Sequence, residues 1–191
     1  MSNSFIEQLD EHIHVMNLVR QLTDQVEEVG TQWYNTLTNG KKILLMGNGG
    51  SAADAQHIAA ELVGRYMIER SGLAAIALTT DTSILTAVGN DYGYGAVFTR
   101  QVEALAQPED IVVGYSTSGN SENVANAMGT AQKIGCKTIA LTGRSGGLIA
   151  PIVDECICIP SDSTPRIQEA HAFIGHMLCS IVDQKISKNI C

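Results

Sequence analysis

Residues 111–121 read Ile111-Val112-Val113-Gly114-Tyr115-Ser116-Thr117-Ser118-Gly119-Asn120-Ser121, and the chain runs on through Glu122 and Asn123 to Ile134. The β-branched apolar run Ile111–Val113 predicts a short strand buried on both faces, and the spacing of Val124, Ala127, Ala131 and Ile134 predicts a helix beginning at Ser121. A polar loop between strand and helix gathers backbone N–H groups at a helix N-terminus, where the macrodipole favours negative charge. Ser116, Thr117, Ser118 and Ser121 add four hydroxyls to that loop. One hydroxyl is enough to cap a helix. Four around a glycine exceed that need, so the stretch is expected to cradle a small anion, a phosphate monoester by preference.

The same strand, polar loop and helix order recurs on both sides. Upstream, Lys42–Met46 predicts a first strand, Gly47-Asn48-Gly49-Gly50-Ser51 a turn, and the following residues a helix to about Glu69, with Ser51 to Asp54 resembling a capping box. Ala74–Leu78 predicts a second strand, followed by Thr79–Ser83, a helix reaching Gly89-Asn90-Asp91, and a further helix over about Tyr94–Leu105. Downstream come strand Lys137–Leu141, the loop Thr142–Gly147, strand Cys156–Ile159 and a last helix from about Pro165 to Ser187. Five short strands alternating with helices imply an α/β fold, a doubly wound parallel sheet whose ligand sits beyond the carboxyl ends of the strands. Ahead of the first strand, Phe5–Thr38 reads as helix with a break near Gly30. Such an arm carries an apolar stripe that must bury against something, which suits either a covering helix or an oligomerisation element.

A chain of 191 residues with 45% hydrophobic content suits one domain with a full core. The net charge of −8 and the lack of a Lys/Arg run exclude a nucleic-acid surface, which needs concentrated positive charge. No apolar stretch is long enough to span a membrane, and the N-terminus lacks the basic and apolar regions of a signal peptide, so the protein is expected in the cytoplasm. Cys136, Cys156, Cys158, Cys179 and Cys191 are an odd number without a CxxC, which indicates neither a disulfide framework nor a thiolate zinc cluster. Cys156 and Cys158 lie two apart in a predicted strand, face the same way and are expected to be small buried residues.

Residues 47–52 formally fit the dinucleotide fingerprint G-x-G-x-x-A, but the acidic residue required at the end of the second strand has only Asp81 as a late candidate. The glycines instead allow close approach of backbone to a sugar, with Asn48 and Ser51 as hydrogen-bonding side chains. Gly114–Ser118 fails the nucleophile elbow, and no Walker loop is present. His57 and Glu61, at i and i+4 of one helix, can converge on one atom, although a surface pair is the commoner use of that spacing. In the last helix Gln168 and His176 fall roughly on one side, and His171 could share it.

Taken together these residues resemble the bacterial phosphoheptose isomerases of the sugar isomerase (SIS) fold. The resemblance runs over nearly the whole chain: the helical arm, Gly47–Ser51, Gln56-His57 with Glu61, Gly89-Asn90-Asp91, Ser116–Ser121, Thr142-Gly143, and Arg166-Ile167-Gln168 with His176. It implies a flavodoxin-like five-stranded sheet in a single SIS domain over 1–191, with 1–40 as oligomerisation arm and 41–191 as the sugar-phosphate-binding core. It implies a homotetramer that converts sedoheptulose 7-phosphate to D-glycero-D-manno-heptose 7-phosphate, toward lipopolysaccharide core heptose. It also implies one zinc ion per subunit at His57, Glu61, Gln168 and His176. Substrate contacts are implied at Asn48, Gly49, Gly50, Glu61, Asn90, Asp91, Ser116, Thr117, Ser118, Ser121 and Gln168. Aldose–ketose isomerisation moves a proton between adjacent carbons through an enediol and needs an acid–base pair, here Glu61 and His176. Metal ligation and base catalysis compete for Glu61, and the sequence leaves both roles open. A rival class is the related tetrameric SIS protein that binds the replication initiator. That family matches Gln56-His57 and Arg166–Gln168 but not the acid and imidazole at Glu61 and His176.

Overall fold

A computed structural model describes residues 4–188 of the chain. Five parallel strands, β1 (Ile43–Gly47), β2 (Ala75–Ala77), β3 (Ile111–Ser116), β4 (Lys137–Gly143) and β5 (Glu155–Ile159), form one sheet in the order β2-β1-β3-β4-β5. This is the flavodoxin-like order, in which the winding reverses between β1 and β3. Ile43 lies in register with Ile111, and Gly47 with Tyr115, so the loops leaving both strands open at the same edge.

Among the described residues seven α-helices surround the sheet: α1 (Phe5–Val19), α2 (Thr23–Thr38), α3 (Gly50–Val63), α4 (Thr82–Tyr92), α5 (Thr99–Leu105), α6 (Glu122–Ile134) and α7 (Thr164–Lys188). Strand side chains alternate between two cores, as a period of two requires. Ile43, Leu45, Ile111, Val113, Ile139 and Leu141 face residues of α1, α2, α3 and α7. Leu44, Met46, Val112 and Ala140 face α5 and α6. With both faces covered, the central strands read as the continuous apolar runs seen in the sequence.

Three local expectations need correction. The N-terminal helix does not break at Gly30, which lies inside α2; it breaks at the 3₁₀ turn Arg20–Leu22, where the Thr23 hydroxyl donates to the Arg20 carbonyl. Gly30 is a packing glycine, since a Cβ there would stand 2.8 Å from Ile181 on α7. Helix α3 ends at Val63, six residues before the expected Glu69, and Gly64 follows it. Ser51 is buried within α3 and caps nothing: the cap is Gly49 at φ +57°, with no side-chain cap bond. Among the described residues no helix is long and apolar enough to cross a membrane.

Candidate active site

The switch between β1 and β3 is closed by a reciprocal pair of amides. Asn48, just after β1, donates to Asn123 Oδ1 at 2.8 Å, and Asn123, in the first turn of α6, donates back to Asn48 Oδ1 at 2.9 Å. Asn123 Oδ1 also accepts from the N–H of Val124, and the Tyr94 hydroxyl lies 3.3 Å from Asn48 Oδ1. The two loops expected to meet the ligand are therefore joined at the point where open α/β sheets bind one.

In the loop after β3, Ser121 occupies the N-cap of α6 in extended conformation, yet its hydroxyl makes no cap bond. It lies 2.9 Å from the hydroxyl of Ser116. Simple capping therefore does not account for Ser121, and with only the Val124 N–H taken, by Asn123 Oδ1, the N–H groups of Glu122 and Asn123 face an acceptor from outside. Ser118 Oγ accepts from the N–H of Asn120, and Gly119 at φ +69° turns the loop. The loop is braced from behind: the N–H of Ile149 donates to Gly119 O at 3.0 Å, and that of Leu148 to Asn120 Oδ1 at 3.1 Å.

The titratable corner lies between α3 and α7. His57 Nε2 is 2.8 Å from His176 Nε2 and 3.8 Å from Glu61 Oε1. An acid and an imidazole from two helices, 119 residues apart for the histidine pair, thus meet at one nitrogen. Gln168 lies against the glycine turn, where a Cβ at Gly50 would overlap its side-chain amide. Asn90 and Asp91 stand exposed in the last turn of α4, bonded to each other at 2.8 Å. Asp54, one turn before His57, has its carboxyl pushed up to about 6, chiefly by burial, while the nearby His57 opposes the shift.

Two imidazole nitrogens at 2.8 Å share one proton, whereas a metal ion needs a free lone pair from each. Nitrogens on a tetrahedral zinc, with bonds of about 2.0–2.1 Å, stand about 3.3 Å apart. The donor set of two imidazoles and a carboxylate suits zinc, and a small opening of the histidine pair would admit it. As placed, no three His, Cys, Asp or Glu side chains among the described residues are grouped to hold a metal ion.

The sequence did not single out Tyr66, whose ring stacks on His176 with centroids 5.5 Å apart. Nor did it single out Tyr94 or Asn123. Tyr66 lies in the irregular segment after α3, held by a buried ion pair. The Arg70 guanidinium donates to Asp183 Oδ1 at 2.7 Å and to the Leu62 and Glu61 carbonyls, while Asp183 Oδ2 accepts from the N–H groups of Met67 and Ile68. Arg70 thereby satisfies the last carbonyls of α3, which explains why the helix stops there.

Comparison with known proteins agrees with this architecture. A family model described as SIS domain matches residues 5–143. The phosphoheptose isomerase of Geotalea daltonii is 56% identical over 180 residues, covering 94% of each chain. That of Nitratiruptor sp. is 64% identical over 148 residues, 78% of this chain and 79% of the relative. The solved structure of the phosphoheptose isomerase from Neisseria gonorrhoeae superposes with a TM-score of 0.88 at 45% identity, covering 93% of this chain and 95% of that one. With the switch-point loops, the uncapped serine loop and the His57–Glu61–His176 corner on one scaffold, the chain belongs to the SIS-domain family and, within it, to the phosphoheptose isomerases.

Proposed function

We propose that the protein interconverts sedoheptulose 7-phosphate and D-glycero-D-manno-heptose 7-phosphate through an enediol, as a cytoplasmic step toward lipopolysaccharide core heptose. The observation that carries this reading is the approach of Glu61 and His176 to the same His57 nitrogen, at 3.8 and 2.8 Å. The phosphate end of the sugar is held by Ser116, Thr117, Ser118 and Ser121 with the N–H groups that open α6, where positive partial charge and hydroxyl donors coincide. Asn48, Gly49, Gly50, Ser51 and Gln168 meet the sugar hydroxyls, the glycines allowing close approach of the backbone. Glu61 removes the proton from the carbon next to the carbonyl, and His176 returns or relays it at the neighbouring position. Tyr66, stacked on His176, limits the swing of the ring that must deliver the proton.

One zinc ion per subunit suits His57, Glu61, Gln168 and His176; when bound, it would supply a Lewis acid for the carbonyl and hydroxyl oxygens. The initiator-binding alternative is set aside on the same corner, because a non-catalytic binder has no use for a paired acid and imidazole. The names of the relatives at 56% and 64% identity support the isomerase.

Glu61→Gln and His176→Gln are each expected to lower turnover of sedoheptulose 7-phosphate by about a hundredfold or more with the fold intact. Near-normal turnover in either variant removes that residue from the mechanism. Residues 1–40 serve assembly in this reading and 41–191 carry the chemistry. The assembly is a homotetramer, which the exposed apolar residues of α1 support: Phe5 is 80% exposed, Ile6 59%, Leu9 42% and Ile13 49%.

A further inference from the structure

Two strands over from Ser116, in register with it through Thr142, β5 carries two thiols that the isomerisation does not use. Cys156 and Cys158 lie two apart in an extended strand and so point to the same face. The sequence predicts small buried residues here, whereas both are only partly buried, on a strand that forms the sheet edge. Their sulfurs are 3.4 Å apart, and Thr142 Oγ1, from the neighbouring strand β4, lies 3.3 Å from each. The hydroxyl of Thr142 donates to Cys158, and the two thiols share a hydrogen bond with each other. The pairing with Cys156, and after it the Thr142 hydroxyl, hold the Cys158 thiol at about 6, well below the ordinary thiol range, while the same pairing and burial push that of Cys156 up. The other described cysteines behave oppositely: burial pushes Cys136 up to about 11 and Cys179 up to about 12.

Two thiols this close could be joined by oxidation or bridged by an ion, and geometry decides between them. In an extended strand, Cα atoms two residues apart are separated by about 6.4–6.8 Å, at the outer edge of what a disulfide spans. Two thiolates on a tetrahedral ion, with bonds of about 2.3 Å, stand about 3.8 Å apart, while a linear two-coordinate ion would need about 4.6 Å. The observed 3.4 Å lies nearest the tetrahedral bite, and the strand reaches it without bending. We propose that Cys156 and Cys158 form a bidentate thiolate site for a thiophilic divalent cation of the zinc or cadmium type, distinct from the His57–His176 corner. At neutral pH binding releases the proton of Cys156 and whatever fraction remains on Cys158, and forms two metal–sulfur bonds with no change of oxidation state; the remaining positions on the ion are taken by solvent. Such an open, two-residue site exchanges its ion, unlike a closed four-ligand structural site.

The test uses cadmium on the full chain carrying Cys191→Ser, which removes the thiol that lies outside the described residues. The expected result is an ultraviolet thiolate-to-cadmium charge-transfer band that saturates and is abolished in Cys156→Ser/Cys158→Ser. Histidine and carboxylate ligands give no such band, so cadmium at the His57 corner is silent in this readout. Alkylation followed by peptide mass spectrometry provides the second arm, on protein with both cysteines intact. Cadmium is expected to slow labelling of Cys158 by about tenfold or more. Absence of the band, its persistence in the double variant, or unchanged labelling of Cys158 overturns the site. Neither readout depends on turnover, so failure of the isomerase reading would leave both informative.

Discussion

His171 sits in the first half of α7 with Nε2 donating to the Thr142 carbonyl at 3.1 Å, its other nitrogen buried without a partner and the ring of Tyr115 6.0 Å away. Burial lowers its pKa to about 4, against an ordinary 6.5, because a second ring proton would have no acceptor. With the folded value depressed, the unfolded chain binds the extra proton first as pH falls. Stability from this group is therefore complete above about pH 6.5 and is lost as pH drops through 4, a span of about 3 kcal/mol. Urea titrations at pH 7 and pH 4 should show a smaller acid-side loss in His171→Gln than in the parent chain. An equal loss would mean that this imidazole does not govern the acid limb. The sequence placed His171 on a helix with Gln168 and His176 and left open whether it joined them. What it could not supply was depth, since the Thr142 carbonyl that claims the ring is 29 residues away. The serine loop was more legible, because four hydroxyls around a glycine are a local fact. The bond between Ser116 and Ser121 then shows that capping α6 is not what Ser121 does.

At the scale of elements, the three central strands were legible because buried parallel strands are written as uninterrupted apolar runs, and the edge strands β2 and β5 by their short apolar stretches between helices and loops. The helix boundaries that went astray did so through tertiary contact. Gly30 looks like a breaker until Ile181 occupies the space its side chain would need. The end of α3 depends on Arg70, whose partner Asp183 lies 113 residues further on. Both partners are almost fully buried, with 3% and 4% of their side chains exposed. Asp183→Ala would strand a buried guanidinium, at a cost of about 3–5 kcal/mol. Chemical denaturation should report that loss. Because the same carboxylate holds Met67 and Ile68, it also anchors the segment that lays Tyr66 on His176. A loss below about 1 kcal/mol would mean that solvent replaces the pair.

At the scale of the whole molecule, a groove of about 570 Å³ runs between α1, α2 and α7, with Ile13, Met16, Phe173 and Met177 on its walls. Phe173 is 42% exposed and Ile13 49%, so charges placed there should oppose assembly and leave the chain folded. If the proposed assembly forms through this groove, light scattering of Ile13→Asp/Phe173→Asp should report a smaller species than the parent chain; an unchanged mass would locate the contact elsewhere. The arm is tied to its own chain where α7 begins: Arg166 donates to the Gln8 carbonyl at 2.6 Å, and His12 lies 2.7 Å from Glu169, which Arg166 also pairs at 2.9 Å. Gln168 lies among these ties, and His176 follows two turns later on the same rod. Were a neighbouring copy to press on the arm, as the proposed assembly would have it do, the load would fall on the same rod that carries His176, the residue proposed to handle the proton. Crowding and dilution would then tune the catalyst as well as its mass, and subunits drifting apart would grow sluggish before they unfold.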